Sequence, residues 1–170
     1  MTTIIGVQRQ WGVLMAADSQ VNWGDRPTTS FGVDKITSRD GYLIAAAGDG
    51  RVADMVCYEW KPPKITGSGD MHRFVVTKVV PSLRKFLNEG NTDYKNAEFE
   101  ILIALRGQLY AIGSDLSVIR DEEGFYGIGT GGQYAVGALY AGSPLEDAVT
   151  IAIRLDINSG GPIQIEKQVK

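Results

Sequence analysis

Cysteine and histidine are nearly missing from this sequence: each occurs once, as Cys57 and His72. A single cysteine cannot close an internal disulfide, and the two residues together cannot make a typical zinc site. Any Ser-His-Asp or Cys-His machinery would have to run on His72. That residue stands in Asp70-Met71-His72-Arg73-Phe74, at the start of an expected helix, which favours a surface or capping role. Cys57 falls on an apolar helix face and is expected in the core. An enzyme built from this chain would therefore work without histidine. Long apolar runs are missing too: no stretch approaches the roughly 20 residues a membrane span needs. The start, Met-Thr-Thr-Ile-Ile-Gly-Val, lacks the positive and apolar regions of a secretory signal. Neither sign of charge dominates. The net charge is −3, with 17 basic residues interspersed among 20 acidic ones, so there is no basic tract for nucleic acid. These absences predict a soluble, cytoplasmic protein with neither nucleic acid nor membrane as partner. Its 170 residues suit a single domain, 1–170.

What is present reads as strands, then helices, then strands again. Residues 2–8 and 12–18 are β-rich, 22–27 carry turn residues, and 34–38 and 42–47 flank a hairpin turn at Arg39-Asp40-Gly41. Residues 50–61 place Val52, Met55, Val56 and Trp60 at helical spacing until Pro62-Pro63 stops them. A longer helix is expected over 70–88, kinked at Pro81 and ended by Gly90-Asn91. Strands at 98–105 and 108–113 surround Arg106-Gly107, and 118–128 read as strand with a turn at Glu122-Glu123-Gly124. A helix follows over 133–141. Ser143-Pro144-Leu145-Glu146 reads as a capping box opening another, with Leu145, Ala148, Val149, Ala152 and Leu155 on one face. Residues 162–169 form a last strand. This order is not βαβ alternation. It predicts an α+β domain of face-to-face antiparallel sheets with helix pairs outside.

Two segments invite a chemical reading. Gly127-Ile128-Gly129-Thr130-Gly131-Gly132 fits G-x-G-x-x-G between a strand and a helix, and Asp147 follows about 20 positions on. But Asp147 lies within an expected helix, and one further strand is too little for a dinucleotide-binding unit. A tight strand-to-helix turn accounts for the glycines. The other segment is Met1-Thr2-Thr3. Initiator methionine is readily trimmed before a small residue, which predicts a mature chain starting at Thr2. An N-terminal threonine carries a nucleophile and a base on one residue: the hydroxyl can attack a carbonyl while the α-amine takes its proton. An antiparallel pairing of the first three strands could gather Thr2, Asp18 and Lys35, and Asp156-Ile157-Asn158-Ser159-Gly160-Gly161 closes a helix. Taken singly, these are an edge-strand residue, a turn residue, a surface charge and a helix stop.

Taken together, in order and at consistent spacing over nearly the whole chain, they resemble the proteasome β-subunit family of N-terminal nucleophile hydrolases. The likeness is to its bacterial HslV-type branch. The matching segments are Thr2-Thr3-Ile4, Asp18 sixteen residues after the nucleophile, Lys35 on the next strand, Gly50-Arg51-Val52-Ala53-Asp54, the turn Gly129-Thr130-Gly131-Gly132, and Asp-x-x-Ser-Gly-Gly at Asp156 to Gly161. Four features depart from the pattern: one extra residue in the 23–32 loop, Thr130 in place of the usual Ser, Ala47 in place of Gly, and an atypical loop between Pro62 and Gly69. The resemblance implies a four-layer α/β/β/α sandwich and a threonine endopeptidase with Thr2 as nucleophile. Lys35 would tune the α-amine, Asp18 would fix Lys35, and Thr130, Asp156 and Ser159 would orient the amine. The amide of Ala47, standing where relatives have Gly, would bind the oxyanion. No cofactor is required. The backbone carbonyls of Leu155, Asn158 and Gly161 could hold a structural monovalent or Mg cation, as in relatives. Stacked homo-oligomeric rings, an AAA+ ATPase unfoldase and unfolded protein substrates are the implied partners. A non-proteolytic amidase and a catalytically idle ring subunit with Met1 retained are the alternatives.

Overall fold

The computed structural model describes residues 2–24, 26–29, 33–67, 69–90 and 93–170. Met1, residues 25 and 30–32 of the loop with the expected insertion, and Asn91 of the expected helix stop lie outside the described residues. In chain order the elements begin with β1 (Ile4–Arg9), β2 (Gly12–Ala17), β3 (Gln20–Trp23), β4 (Arg26–Thr29), β5 (Ile36–Arg39) and β6 (Tyr42–Gly48). Next come α1 (Gly50–Asp54), which widens into a π-helical turn at Met55–Glu59, and α2 (Met71–Phe74), which passes through a second at Val75–Val79 into α3 (Val80–Glu89). A 3₁₀ turn at Tyr94–Asn96, β7 (Phe99–Leu105), β8 (Gln108–Gly113), β9 (Val118–Ile119) and β10 (Phe125–Ile128) follow, and α4 (Gly132–Tyr140), α5 (Leu145–Leu155) and β11 (Gln164–Val169) end the chain.

Two antiparallel sheets result, ordered β10-β1-β2-β11 and β5-β6-β7-β8-β9, with β3-β4 as a separate hairpin. Strands such as Tyr42–Gly48 and Phe99–Leu105 are apolar at nearly every position because both of their faces are covered, which removes the usual apolar-polar alternation. Side chains on alternate positions go to different layers. Ile4, Val13, Met15 and Ala17 meet Ile36, Leu43, Ala45, Leu102 and Ala104 between the sheets. Ile5, Val7 and Ala16 pack outward on Ala135, Leu139, Ala148 and Ala152 of α4 and α5. On the opposite outer face Ile44, Ile101, Ile103 and Tyr110 pack on Val56, Trp60, Val79, Leu83 and Leu87. The fold is thus the expected α/β/β/α sandwich.

Four local expectations are revised. Residues 22–27 do not simply turn; they are parts of the β3–β4 hairpin, with Pro27 opposite Asn22 in a two-stranded ribbon whose edge tolerates a missing N–H. Residues 118–128 divide between β9 in the second sheet and β10 in the first, because the chain crosses between layers near Gly124. The Ser143 capping box does not form. Pro144 is the N-cap itself, without a side-chain bond, and its carbonyl accepts the Ala148 N–H at 2.9 Å. Finally, the kink expected at Pro81 takes the form of a π turn just before it, where the ladder adjusts to a residue that cannot donate.

Candidate active site

Register brings the sequence-distant candidates to one corner. Ile4 pairs with Ala17 on one side and Ile128 on the other, while Gln164 pairs with Ala17. The start of β1, the ends of β2 and β10 and the entry to β11 therefore share one edge of the first sheet. Thr2 and Thr3 sit at this edge, buried, across from Asp18, whose N–H donates to the Thr3 carbonyl at 3.0 Å. The Asp18 carboxylate is fully buried and amply supplied with donors. Its Oδ1 accepts the Thr2 hydroxyl at 2.8 Å, the Thr3 N–H at 2.9 Å and the Lys35 ammonium at 2.7 Å. Its Oδ2 accepts the N–H groups of Gln20 at 3.0 Å and Gly160 at 2.9 Å. A buried carboxylate stays ionised at low cost only when so paired. Lys35 also donates to the Thr2 hydroxyl oxygen and, at 2.6 Å, to the Gln20 carbonyl. Burial of the ammonium pulls the Lys35 pKa below its ordinary 10.5, with Asp18 and then Asp156 pulling upward without cancelling it.

A second acidic corner adjoins the first. Asp156, at the C-cap of α5, accepts the Thr130 hydroxyl at 2.7 Å and the Ser159 hydroxyl at 2.6 Å on Oδ2, and the Asn158 N–H at 3.2 Å on Oδ1. Ser159 has spent its proton on Asp156, so the 2.7 Å contact between the Thr3 and Ser159 oxygens is a bond donated by Thr3. Burial opposes the charge on Asp156, but the hydrogen bonds from Ser159, Thr130 and Asn158 outweigh it and hold the carboxyl below its ordinary 3.8. The glycine-rich turn closes the corner. Gly131 donates to the Thr2 carbonyl at 3.2 Å, and at Gly129 (φ +77°) a Cβ would fall inside the radius of that same oxygen. This is the structural need behind the G-x-G-x-x-G pattern. Glu100 of β7 accepts the Gly129 N–H at 2.9 Å and so ties the turn to the second sheet.

Two cavities meet at the end of β6. A small one of about 190 Å³ reaches Thr2, Lys35, Ala46, Ala47, Gly48 and Cys57, and a larger one of about 920 Å³ reaches Ala47, Gly48, Glu98, Glu100, Gly129 and Thr130. Ala47 and Gly48 line both, and their amides face opposite sides of β6. Hydrogen-bonded and non-bonded pairs alternate along an antiparallel ladder. Asp49 donates to the Glu98 carbonyl, so Ala47, two residues earlier and opposite Glu100, belongs to the same class of pair and turns its N–H toward β7. The Gly48 N–H faces the other edge, the Lys35 side. Cys57 is in the core as expected, and burial pushes its thiol up to about 12, leaving it protonated at neutral pH. His72 is exposed on α2, with its ring 6.1 Å from that of Tyr110. Gln20 and Glu100 escaped the sequence reading because they act through a backbone group or on one, which no residue pattern marks.

Among the described residues no cluster of three or more His, Cys, Asp or Glu side chains could hold a metal, and no helix is long and apolar enough to cross a membrane. No protein-family model matches the chain. The ATP-dependent protease subunit HslV of Brevibacillus brevis is 27% identical over 140 residues, which are 81% of this chain and 74% of that protein. Among solved structures, the BPH protein of Thiobacillus denitrificans in complex with epoxomicin matches with a TM-score of 0.80 at 19% identity, covering 99% of this chain and 98% of that one. HslV from Trypanosoma brucei matches at 0.73 and 22%, covering 99% and 100%. Anbu from Yersinia bercovieri matches at 0.68 and 16%, covering 99% and 82%. At such identities the structural matches speak for the fold. The sequence match adds that this chain is similar to an HslV-type protease subunit.

Proposed function

We propose that the chain is a threonine endopeptidase, the peptidase subunit of a ring-shaped ATP-dependent protein-degradation machine, with Thr2 as nucleophile after loss of Met1. The observation that carries this reading is the Thr2 hydroxyl held at 2.8 Å from Asp18 while also accepting from Lys35. A hydroxyl flanked by a carboxylate and an ammonium is aligned and polarised, and a free α-amine on the same residue would supply the base.

Thr2 Oγ attacks the scissile carbonyl while the α-amine takes its proton and gives it to the leaving amine as the C–N bond breaks; a water, deprotonated by the freed α-amine, then cleaves the Thr2 ester and releases the carboxylic acid. The amine's ordinary pKa is near 8. Lys35 lowers it toward neutrality, where a base works best, and Asp18 fixes Lys35. The Gly48 N–H, in place of that of Ala47, receives the oxyanion; one such donor is typically worth about 3 kcal/mol. Thr130, Asp156 and Ser159 hold the turn and Thr3 around the amine. The carbonyls of Leu155, Asn158 and Gly161, on the loop that ends α5, would hold a structural monovalent or Mg cation, since carbonyl oxygens suit hard ions. Assembly into stacked homo-oligomeric rings fed with unfolded protein by an AAA+ ATPase completes the reading; the Brevibacillus relative, named an ATP-dependent protease subunit, supports an ATP-using partner.

The test is Thr2→Ala beside Thr2→Ser, assayed on short fluorogenic peptides with the N-terminus of each protein sequenced. Thr2→Ala should have no measurable hydrolysis and Thr2→Ser should retain some. Full activity in Thr2→Ala would sink the assignment. Epoxomicin, with which the Thiobacillus protein was solved in complex, is a ready compound to test for inhibition.

A further inference from the structure

Lys35 carries the charge of the site, yet it lies outside β5, just ahead of the first paired residues Ile36 and Ala45. Among the described residues no strand pairing holds its backbone, and its side chain has four carbons free to wander. The fixing comes from the π turn at Met55–Glu59. The Tyr58 hydroxyl donates to the Asp34 carbonyl at 2.6 Å, and the Cys57 thiol lies 3.9 Å from the Lys35 carbonyl. In return, the turn's own terminal carbonyls, which lack partners within the helix, are taken up by the strand that follows Lys35. The Thr37 hydroxyl donates to the Cys57 carbonyl at 2.9 Å, and the Arg39 guanidinium donates to the Cys57 carbonyl and, at 3.0 Å, to that of Val56. Residues 34–39 are thus stitched to this turn on both sides of Lys35. A π turn is rare and is often found beside functional sites, and this one forms a wall of the small cavity that reaches Thr2.

We propose that Tyr58 is a positioning residue for Lys35: its hydroxyl clamps the Asp34 carbonyl and so holds the ammonium against Thr2 and Asp18. The kinetic consequence rests on the peptidase reading; the positional one does not. Tyr58 is half exposed and lines the small cavity, and its hydroxyl is the group that binds the Asp34 carbonyl, so Tyr58→Phe deletes the clamp and leaves the ring in place.

Two measurements decide it. With a short fluorogenic peptide, Tyr58→Phe should lower kcat by about tenfold while KM stays within about twofold, the scale of one lost hydrogen bond felt only at the reacting end. Separately, reductive methylation followed residue by residue by mass spectrometry should modify Lys35 several-fold faster in Tyr58→Phe than in the parent, with exposed Lys85 as internal standard. Unchanged kcat together with unchanged Lys35 reactivity overturns the proposal. So does a fall in kcat that comes with lost assembly or lower Tm while Lys35 reacts as in the parent. If the parent protein cleaves no peptide, the peptidase reading fails by itself, and the Lys35 methylation rate alone decides the clamp.

Discussion

Lys35 and Asp18 are joined at 2.7 Å by an ion pair whose carboxylate is fully buried, and both partners touch the Thr2 hydroxyl. Lys35→Ala should cost several orders of magnitude in peptide hydrolysis, because the α-amine loses its tuning cation. Lys35→Arg should rescue poorly, since the larger guanidinium cannot occupy the same corner. Initial rates on a fluorogenic peptide check this; more than about a tenth of parental activity in Lys35→Ala, a loss under about 1.4 kcal/mol, would make Lys35 dispensable.

The same pair has a pH signature. Burial lowers the Lys35 pKa from 10.5, and Asp18 raises it part of the way back. Replacing Asp18 by Asn leaves burial unopposed by its main partner, so Lys35 should lose its proton at lower pH than in the parent. Following the Lys35 side-chain resonance through an alkaline titration checks the sign. A midpoint that moves upward in Asp18→Asn would contradict the electrostatic account of the site.

Asp156 makes a prediction about acid. Its carboxyl is held below 3.8 in the folded chain. Between the folded and ordinary values the unfolded chain binds more protons, so this group's contribution is present above about 3.8 and is lost as pH falls through the lower, folded value. Urea unfolding at a series of acidic pH values should show a shallower decline for Asp156→Asn than for the parent, with Asp156→Asn less stable at neutral pH. Parallel curves would remove Asp156 from the acid response.

Two glycines separate turn from helix. Gly129→Ala meets both an unfavourable φ of +77° and the Thr2 carbonyl, so it should impair activity strongly and destabilise by about 1–3 kcal/mol. Gly137, within α4, has open space where a Cβ would go. Gly137→Ala should stabilise by about 0.5–1 kcal/mol without touching activity. Chemical denaturation of the two variants side by side tests the contrast.

Assembly is open to sedimentation. The ring reading expects a large closed homo-oligomer at micromolar concentration, and slow peptide cleavage that rises when a cognate ATPase and ATP are added. A stable monomer would favour a small amidase instead.

The amino-acid sequence by itself determined much of this protein through short-range physics. Tight turns at Arg39-Asp40-Gly41 and Arg106-Gly107 returned as the β5–β6 and β7–β8 hairpins. Pro62-Pro63 ended the first helix, and the β1–β2 hairpin carried Thr2 to Asp18, because hairpin pairing is set locally by the strands and their turn. The resemblance to the proteasome β-subunit family brought Lys35, Thr130, Asp156 and Ser159 into view. Only the tertiary structure decided which amide at the end of β6 faces the site. That depends on ladder parity with β7, some fifty residues away, and parity leaves no mark on composition or spacing. For the same reason Gln20 and Glu100 emerged only from packing, because a backbone group's partner is chosen by geometry and any residue type can supply it. The Tyr58 hydroxyl likewise meets Asp34 only after a helix packs on a sheet. Strands β9 and β10 part between two sheets because a local strand preference names a conformation and leaves the neighbour to the core.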